Sequence, residues 1–174
     1  MHVKIRKAVP EDAALLAELG ATTFYDTFSA FHSEEDMQLY LKKAYAQKDI
    51  AVNLTNPEIA YFIAFDGDTA AGYTKLLRNA SHPQIQSTAI ELEKIYVRKN
   101  YLGKNVGKAL MDHALNYART ENFEILFLGV WQENNRAVNF YKKAGMEVFT
   151  TRTFQLGQTL CDDYLLKIDL QEGS

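Results

Sequence analysis

Two glycines, Gly103 and Gly107, bracket the segment Gly103-Lys104-Asn105-Val106-Gly107-Lys108-Ala109, which joins a strand-like run to a helix-like run. Free backbone N–H groups and the helix dipole at such a junction favour an anion, phosphate above all. The segment is not a P-loop, because only three residues separate the glycines and Ala109 stands where Ser or Thr would hold magnesium. It is not a dinucleotide fingerprint either, since Gly-x-Gly-x-x-Gly is missing. Read alone, it describes a phosphate cradle or a tight turn with exposed lysines. Ahead of it, Glu91 and Glu93 share one face of a strand by the period of two, so their repulsion raises one pKa. The alternative is a solvated face with Lys94 nearby. His2, His32, His82 and His113 have no ligand spacing, so no metal is expected. The single cysteine, Cys161, has no local Cys–His pattern and excludes an intramolecular disulfide framework.

The charges around these residues are segregated. From Ala8 to Leu41 there is no Lys or Arg, while Glu11, Asp12, Glu18, Asp26, Glu34, Glu35 and Asp36 are all acidic. From Arg98 to Lys108 the bases Arg98, Lys99, Lys104 and Lys108 meet no acid. One region suits an anion and the other a cation. The whole chain of 174 residues carries a net charge of only −3, which gives no support to nucleic-acid binding. No apolar run approaches the roughly 20 residues that span a bilayer, and no apolar leader core follows Lys4, Arg6 and Lys7. A cytoplasmic protein without membrane contact is expected.

The elements that must position these residues follow from periodicity. The length predicts one domain over residues 1–174. Val3 to Val9 alternates as a strand. Pro10 with Glu11 and Asp12 starts a helix carrying Leu15, Leu16 and Leu19, and Ser33 with Asp36 opens a second. Asp49 to Asn56 is ambiguous. Ile59–Asp66 and Thr69–Leu77 form a hairpin across Asp66-Gly67, Arg78 to Ser87 reads as a loop, and Ala89–Val97 is a strand. A helix runs from about Gly103 to Thr120, a buried strand over Glu124–Val130, and a short helix over Asn134–Ala144 ending at Gly145. Strands at Glu147–Phe154 and Asp162–Ile168 close the chain. The order predicts an α/β fold: a mixed, mostly antiparallel sheet of about seven strands flanked by about four helices.

Leu92-Glu93-Lys94-Ile95-Tyr96-Val97, the glycine segment, and Asn134-Asn135-Arg136-Ala137-Val138-Asn139-Phe140-Tyr141-Lys142-Lys143-Ala144-Gly145-Met146 together resemble the GNAT superfamily of N-acetyltransferases. That family's pattern is a strand, Gln/Arg-x-x-Gly-x-Gly/Ala opening a helix, a strand, then Asn-x-x-Ala-x-x-x-Tyr-x-x-x-Gly-Phe. Arg6 to Ala13 is similar to the family's opening, so the resemblance spans essentially the whole chain. Thr23-Phe24-Tyr25-Asp26-Thr27-Phe28 and Leu128-Gly129-Val130-Trp131 look most like the PaiA-type spermidine/spermine acetyltransferases. The resemblance implies direct acetyl transfer from acetyl-CoA to an amine, with Tyr141 as general acid toward the coenzyme sulfur and Glu93 as a base acting through water. It implies coenzyme contacts along Ile95, Tyr96 and Val97, the loop Leu102, Gly103, Lys104, Asn105, Val106, Gly107 and Lys108, and Asn135 and Lys143. Tyr141 also suits core packing, and Asn135 a plain helix start.

Two loop residues depart from the pattern. Leu102 stands where the family has Gln or Arg, and Asn105 where it has Gly. Backbone N–H groups do most of the holding in such a loop, so weaker coenzyme binding is the most that follows. The acceptor implied is a small-molecule amine or polyamine, walled by the acidic first two helices, with Phe24, Asp26, Phe28 and Trp131 as candidate contacts. First helical turns account for most of those acids, and Phe24 and Phe28 also suit the core. The same motifs allow acetylation of a protein N-terminus or lysine, or a non-catalytic CoA-binding module. A homodimer is the family's expectation.

Overall fold

The computed structural model describes residues 1–171. Its elements run β1 (Val3–Lys7), α1 (Ala13–Phe28), α2 (Glu34–Ala44), α3 (Gln47–Leu54), β2 (Ile59–Asp66), β3 (Thr69–His82), β4 (Ile85–Val97), α4 (Val106–Thr120), β5 (Ile125–Trp131), α5 (Asn135–Lys143), β6 (Glu147–Leu156) and β7 (Thr159–Asp169). Seven strands form one sheet in the order β1-β2-β3-β4-β5-β7-β6. All neighbours are antiparallel except β4 and β5, which α4 joins by a crossover. The mixed, mostly antiparallel sheet is thus as expected. Among the described residues there are five α-helices, the ambiguous Asp49–Asn56 region falling largely within α3.

The sheet alternates its side chains between two helical layers. Phe62, Leu76, Ile90, Leu92, Leu126 and Leu128 pack against Met111 and Ala114 of α4 and Val138 of α5. The opposite parity, Tyr61, Ile63 and Tyr73, meets Leu16 and Leu19 of α1 and Ile50 of α3. Further along that face Phe24, Phe28 and Met37 close over Leu156 and Cys161. Cys161 is buried, as its strand parity requires. Among the described residues, no helix is long and apolar enough to cross a membrane.

The expected loop at Arg78–Ser87 is instead an extension of β3 and β4, turning at Pro83 and Gln84. Ser81, Gln86, Ser87 and Thr88 are exposed, so no buried face writes an alternation there. Irregular pairing between Leu77 and His82, with Asn79 at φ 53°, bends the ribbon further. The start of the first helix also shifts. Pro10–Asp12 is a 3-10 turn, and Asp12 turns inward.

Asp12 is buried and accepts 2.7 and 2.9 Å hydrogen bonds from Arg6 and a 2.8 Å bond from the Val9 N–H. The Arg6 hydrogen bond, then the Val9 N–H, hold its carboxyl below the usual range, against the opposing effect of burial. A depressed carboxylate stabilises the fold above its unfolded pKa, and that stabilisation fades as pH falls through the folded value. Asp12→Asn is expected to cost about 1–3 kcal/mol at neutral pH. Thermal unfolding should show it as a fall of roughly 3–10 °C. The gap from wild type should shrink below about pH 4; a gap independent of pH would remove the charge from the explanation.

Candidate active site

Parallel pairing between β4 and β5 is confined to Ala89, Ile90 and Glu91 opposite Ile125, Leu126 and Phe127. Beyond these the strands part, and their facing edges border a cavity of about 750 Å³. The opening has a cause inside β4. Lys75 lies opposite Lys94 but Leu76 lies opposite Leu92, so Glu93 is an extra, bulged residue. A bulge bends its strand and redirects side chains, and bulges gather near active sites. Here Leu92 and Ile95 still join the α4 core, while Lys94 and Tyr96 both turn toward the α1–α2 layer.

Glu93 lines the cavity and accepts a 2.9 Å hydrogen bond from Lys75 Nζ, whose side chain is largely buried. Lys94 packs its ammonium 5.0 Å above the Tyr45 ring, and burial pushes it down to about 8. Tyr141, 8% exposed, reaches the same cavity from α5. Burial raises its hydroxyl pKa, so it keeps its proton at neutral pH. It belongs to the core and also borders the cavity. Ile95, Tyr96 and Val97 line the cavity along the parted edge of β4.

The glycine segment closes one end. Gly103 and Asn105 both adopt left-handed backbone, at φ 77° and 66°, and Asn105 is the N-cap of α4. No side chain caps that terminus and no acid lies in its first turn, so its N–H groups are open to an anion. Leu102, Gly103, Asn105, Gly107 and Lys108 border the cavity. Lys104 and Val106 do not: Lys104 is exposed beside the Tyr101 ring, and Val106 is wholly buried beneath the helix. Asn105→Gly should keep the loop, whereas Asn105→Val is expected to cost about 1–2 kcal/mol, since a β-branched residue resists the left-handed region. Thermal unfolding of the two variants measures this, and equal stabilities would count against strain at residue 105.

Two of the four bases in this region are engaged within the fold. Arg98 makes a two-pronged ion pair with Glu18 at 3.1 and 2.6 Å, and Lys108 pairs with Asp112 at 2.7 Å. Asn135 and Lys143 are exposed on α5 outside the cavity. Asn134 and Arg136, on either side of Asn135, border it instead, and Asn134 caps α5 by accepting from the Ala137 N–H.

At the other end Phe24, Asp26, Phe28 and Trp131 line the cavity. Phe24 stacks on Tyr40 at 4.4 Å, and Trp131 packs against Phe28 at 5.7 Å. The acidic helices contribute little charge here. Asp12 is tied to Arg6 and Glu18 to Arg98, Glu34 accepts from Tyr25 and Gln38, and Asp36 caps the β6–β7 turn. Of that acidic stretch, Asp26 alone borders the cavity. Charge arrives instead from the sheet, through Glu93 and through Asp163 and Arg152, which the sequence reading did not single out. One signal for Asp163 was available: it shares strand parity with the buried Cys161 and Leu165. Among the described residues, no group of three or more His, Cys, Asp or Glu could hold a metal ion.

Comparison with known proteins agrees with this architecture. The model of the acetyltransferase (GNAT) family matches residues 21–146. An uncharacterized N-acetyltransferase of Lactobacillus delbrueckii subsp. lactis is 34% identical over 95% of this chain and 96% of its own length. A spermidine N(1)-acetyltransferase of Thermoplasma acidophilum is 26% identical over 87% of this chain and 92% of its own. The crystal structure of PaiA N-acetyltransferase from the same organism, in complex with coenzyme A, superposes with a TM-score of 0.79 at 22% identity, over 97% of this chain and 99% of that one. A matched family model over most of the chain, a relative of similar length, and a cavity where β4 and β5 part all agree: the chain belongs to the GNAT family of N-acetyltransferases.

Proposed function

We propose that the protein transfers acetyl from acetyl-CoA directly to a primary amine of a small polyamine. The observation that carries this reading is the single cavity that reaches from the uncapped α4 terminus, past Tyr141 and Glu93, to the aromatic residues at its far end. The names of the Thermoplasma relative and neighbour support it further.

The loop residues fit a pyrophosphate: left-handed Gly103 and Asn105 turn the chain, and the α4 N–H groups meet no competing carboxylate. Leu102 is 43% exposed and offers no polar contact. The edge of β4 from Ile95 to Val97 has no β5 partner, which leaves backbone groups for the pantetheine arm and for the developing oxyanion. Glu93, bulged into the cavity, accepts the proton of the acceptor ammonium directly or through one water. The freed nitrogen attacks the thioester carbonyl; a C–N bond forms, the C–S bond breaks, Tyr141 protonates the departing thiolate, and the extra proton left on the nitrogen returns to the Tyr141 oxygen, directly or through water. The products are the N-acetylamine and CoA.

Assay of free CoA release over a panel of spermidine, spermine, diamines and simple monoamines tests the reading. Turnover greatest with polyamines is expected. Greater turnover on peptide N-termini or lysines would assign a protein acceptor, and acetyl-CoA binding without turnover on any acceptor would leave a CoA-binding module.

A further inference from the structure

We propose that Asp163, with Glu91 and Arg152 beside it, is the receptor for a second, distal ammonium of the acceptor. The proposal rests on the reading of an amine acceptor given above and names how that acceptor is chosen.

The three side chains meet on one face of the sheet. Trp131, Asp163 and Arg152 lie directly opposite one another across β5, β7 and β6. Arg152 lies over Gly129, where any Cβ would overlap its guanidinium, and from there it reaches Glu91 on β4. Asp163 and Arg152 both line the cavity, beside Phe28, Trp131 and Phe154.

The cluster is short of one cation. Asp163 is buried and Glu91 largely so, with side chains 9% and 13% exposed, while the arginine they share is 43% exposed. Its contacts are loose, 3.5 Å to Glu91 and 3.7 Å to Asp163. Charge-assisted hydrogen bonds run near 2.7–2.9 Å, and the Arg6–Asp12 and Lys75–Glu93 pairs meet that standard at 2.7 and 2.9 Å. Burial raises the pKa of both carboxyls, the mark of charges not fully compensated. An ammonium on Asp163, with Arg152 kept by Glu91, would neutralise the cluster. The aromatic walls would then hold the methylene chain leading to the amine at Glu93. A monoamine cannot do this.

Steady-state kinetics with an α,ω-diamine and the n-alkyl monoamine of equal chain length test the assignment. Asp163→Asn is expected to raise KM for the diamine at least tenfold, with KM for the monoamine changed less than twofold and kcat for both within threefold. Arg152→Gln removes the guanidinium that shares Asp163 and is expected to lower the diamine KM severalfold. Equal changes for the two amines in Asp163→Asn, or weaker diamine binding in Arg152→Gln, would overturn the assignment while leaving amine acetylation intact. Failure of the wild-type enzyme to acetylate any amine would instead remove the amine reading, and this assignment with it.

Discussion

Tyr141→Phe is expected to lower kcat about a hundredfold or more, with the dissociation constant for acetyl-CoA unchanged within twofold. A positioned general acid contributes about 10²–10⁴ in rate, so the loss is at least ~2.7 kcal/mol of transition-state stabilisation. The substitution removes one oxygen and keeps the ring, which packs edge-on to Phe140 at 5.4 Å and belongs to the α4-side core. Stability should therefore change little, and the kinetic loss can be read as chemistry. Burial raises the Tyr141 pKa, so the wild-type hydroxyl stays protonated throughout the working range. Single-turnover acetyl transfer together with calorimetric titration of acetyl-CoA separates the two quantities. A variant with wild-type kcat would remove Tyr141 from the mechanism and leave it a core aromatic.

Local signals carried much of this site into the sequence. Asn134 accepts from the Ala137 N–H as an N-cap, Ser33 accepts from the Asp36 N–H, and the glycine segment opens α4. Each depends on residues within four positions, which a linear reading can see. The parity of β4 likewise put Glu91 and Glu93 on one face, and both form ion pairs there. What the sequence could not show was pairing across the sheet. The partner of Glu93 is Lys75, 18 residues away, and the partner of Glu91 is Arg152 on the far edge strand. The bulge that sends Lys94 toward the α1–α2 layer is invisible to a period-two pattern, because it is a change of register between two strands.

Charge segregation was the less reliable guide for the same reason. The acidic stretch reads as a cation-binding wall, yet Arg6, Arg98 and the β6–β7 turn engage Asp12, Glu18 and Asp36. These bonds fasten the first two helices to the sheet and so help hold Phe24 and Phe28 over the cavity. Two of the three carboxylates that border the cavity, Glu93 and Asp163, lie on strands outside the acidic stretch, so the distribution of charge along the chain does not find them. A buried acid on a core-facing strand position is the more informative signal, since desolvation makes it costly unless a partner or a function retains it.

Glu93→Gln tests the other half of the proton chemistry and is expected to lower kcat/KM about a hundredfold at pH 7. The amide keeps the shape and can still accept from Lys75, but it cannot take a proton from the acceptor. An alkyl ammonium has a pKa of about 10.4, so only a small fraction is nucleophilic at neutral pH without a base. The variant's rate should therefore climb about tenfold per pH unit up to roughly pH 9, following the free amine. The wild-type rate should rise less steeply, because the enzyme deprotonates the acceptor itself. One confounding cost is structural. Lys75 Nζ has a side chain only 12% exposed, and loss of its counter-ion leaves a largely buried positive charge. The pair Lys75→Met and Glu93→Gln separates the two effects: the double variant should recover the thermal stability lost by Glu93→Gln but none of its activity. Recovery of activity in the double variant, or wild-type kcat/KM in Glu93→Gln at pH 7, would show that the Glu93 carboxylate serves to balance Lys75 and takes no proton from the substrate.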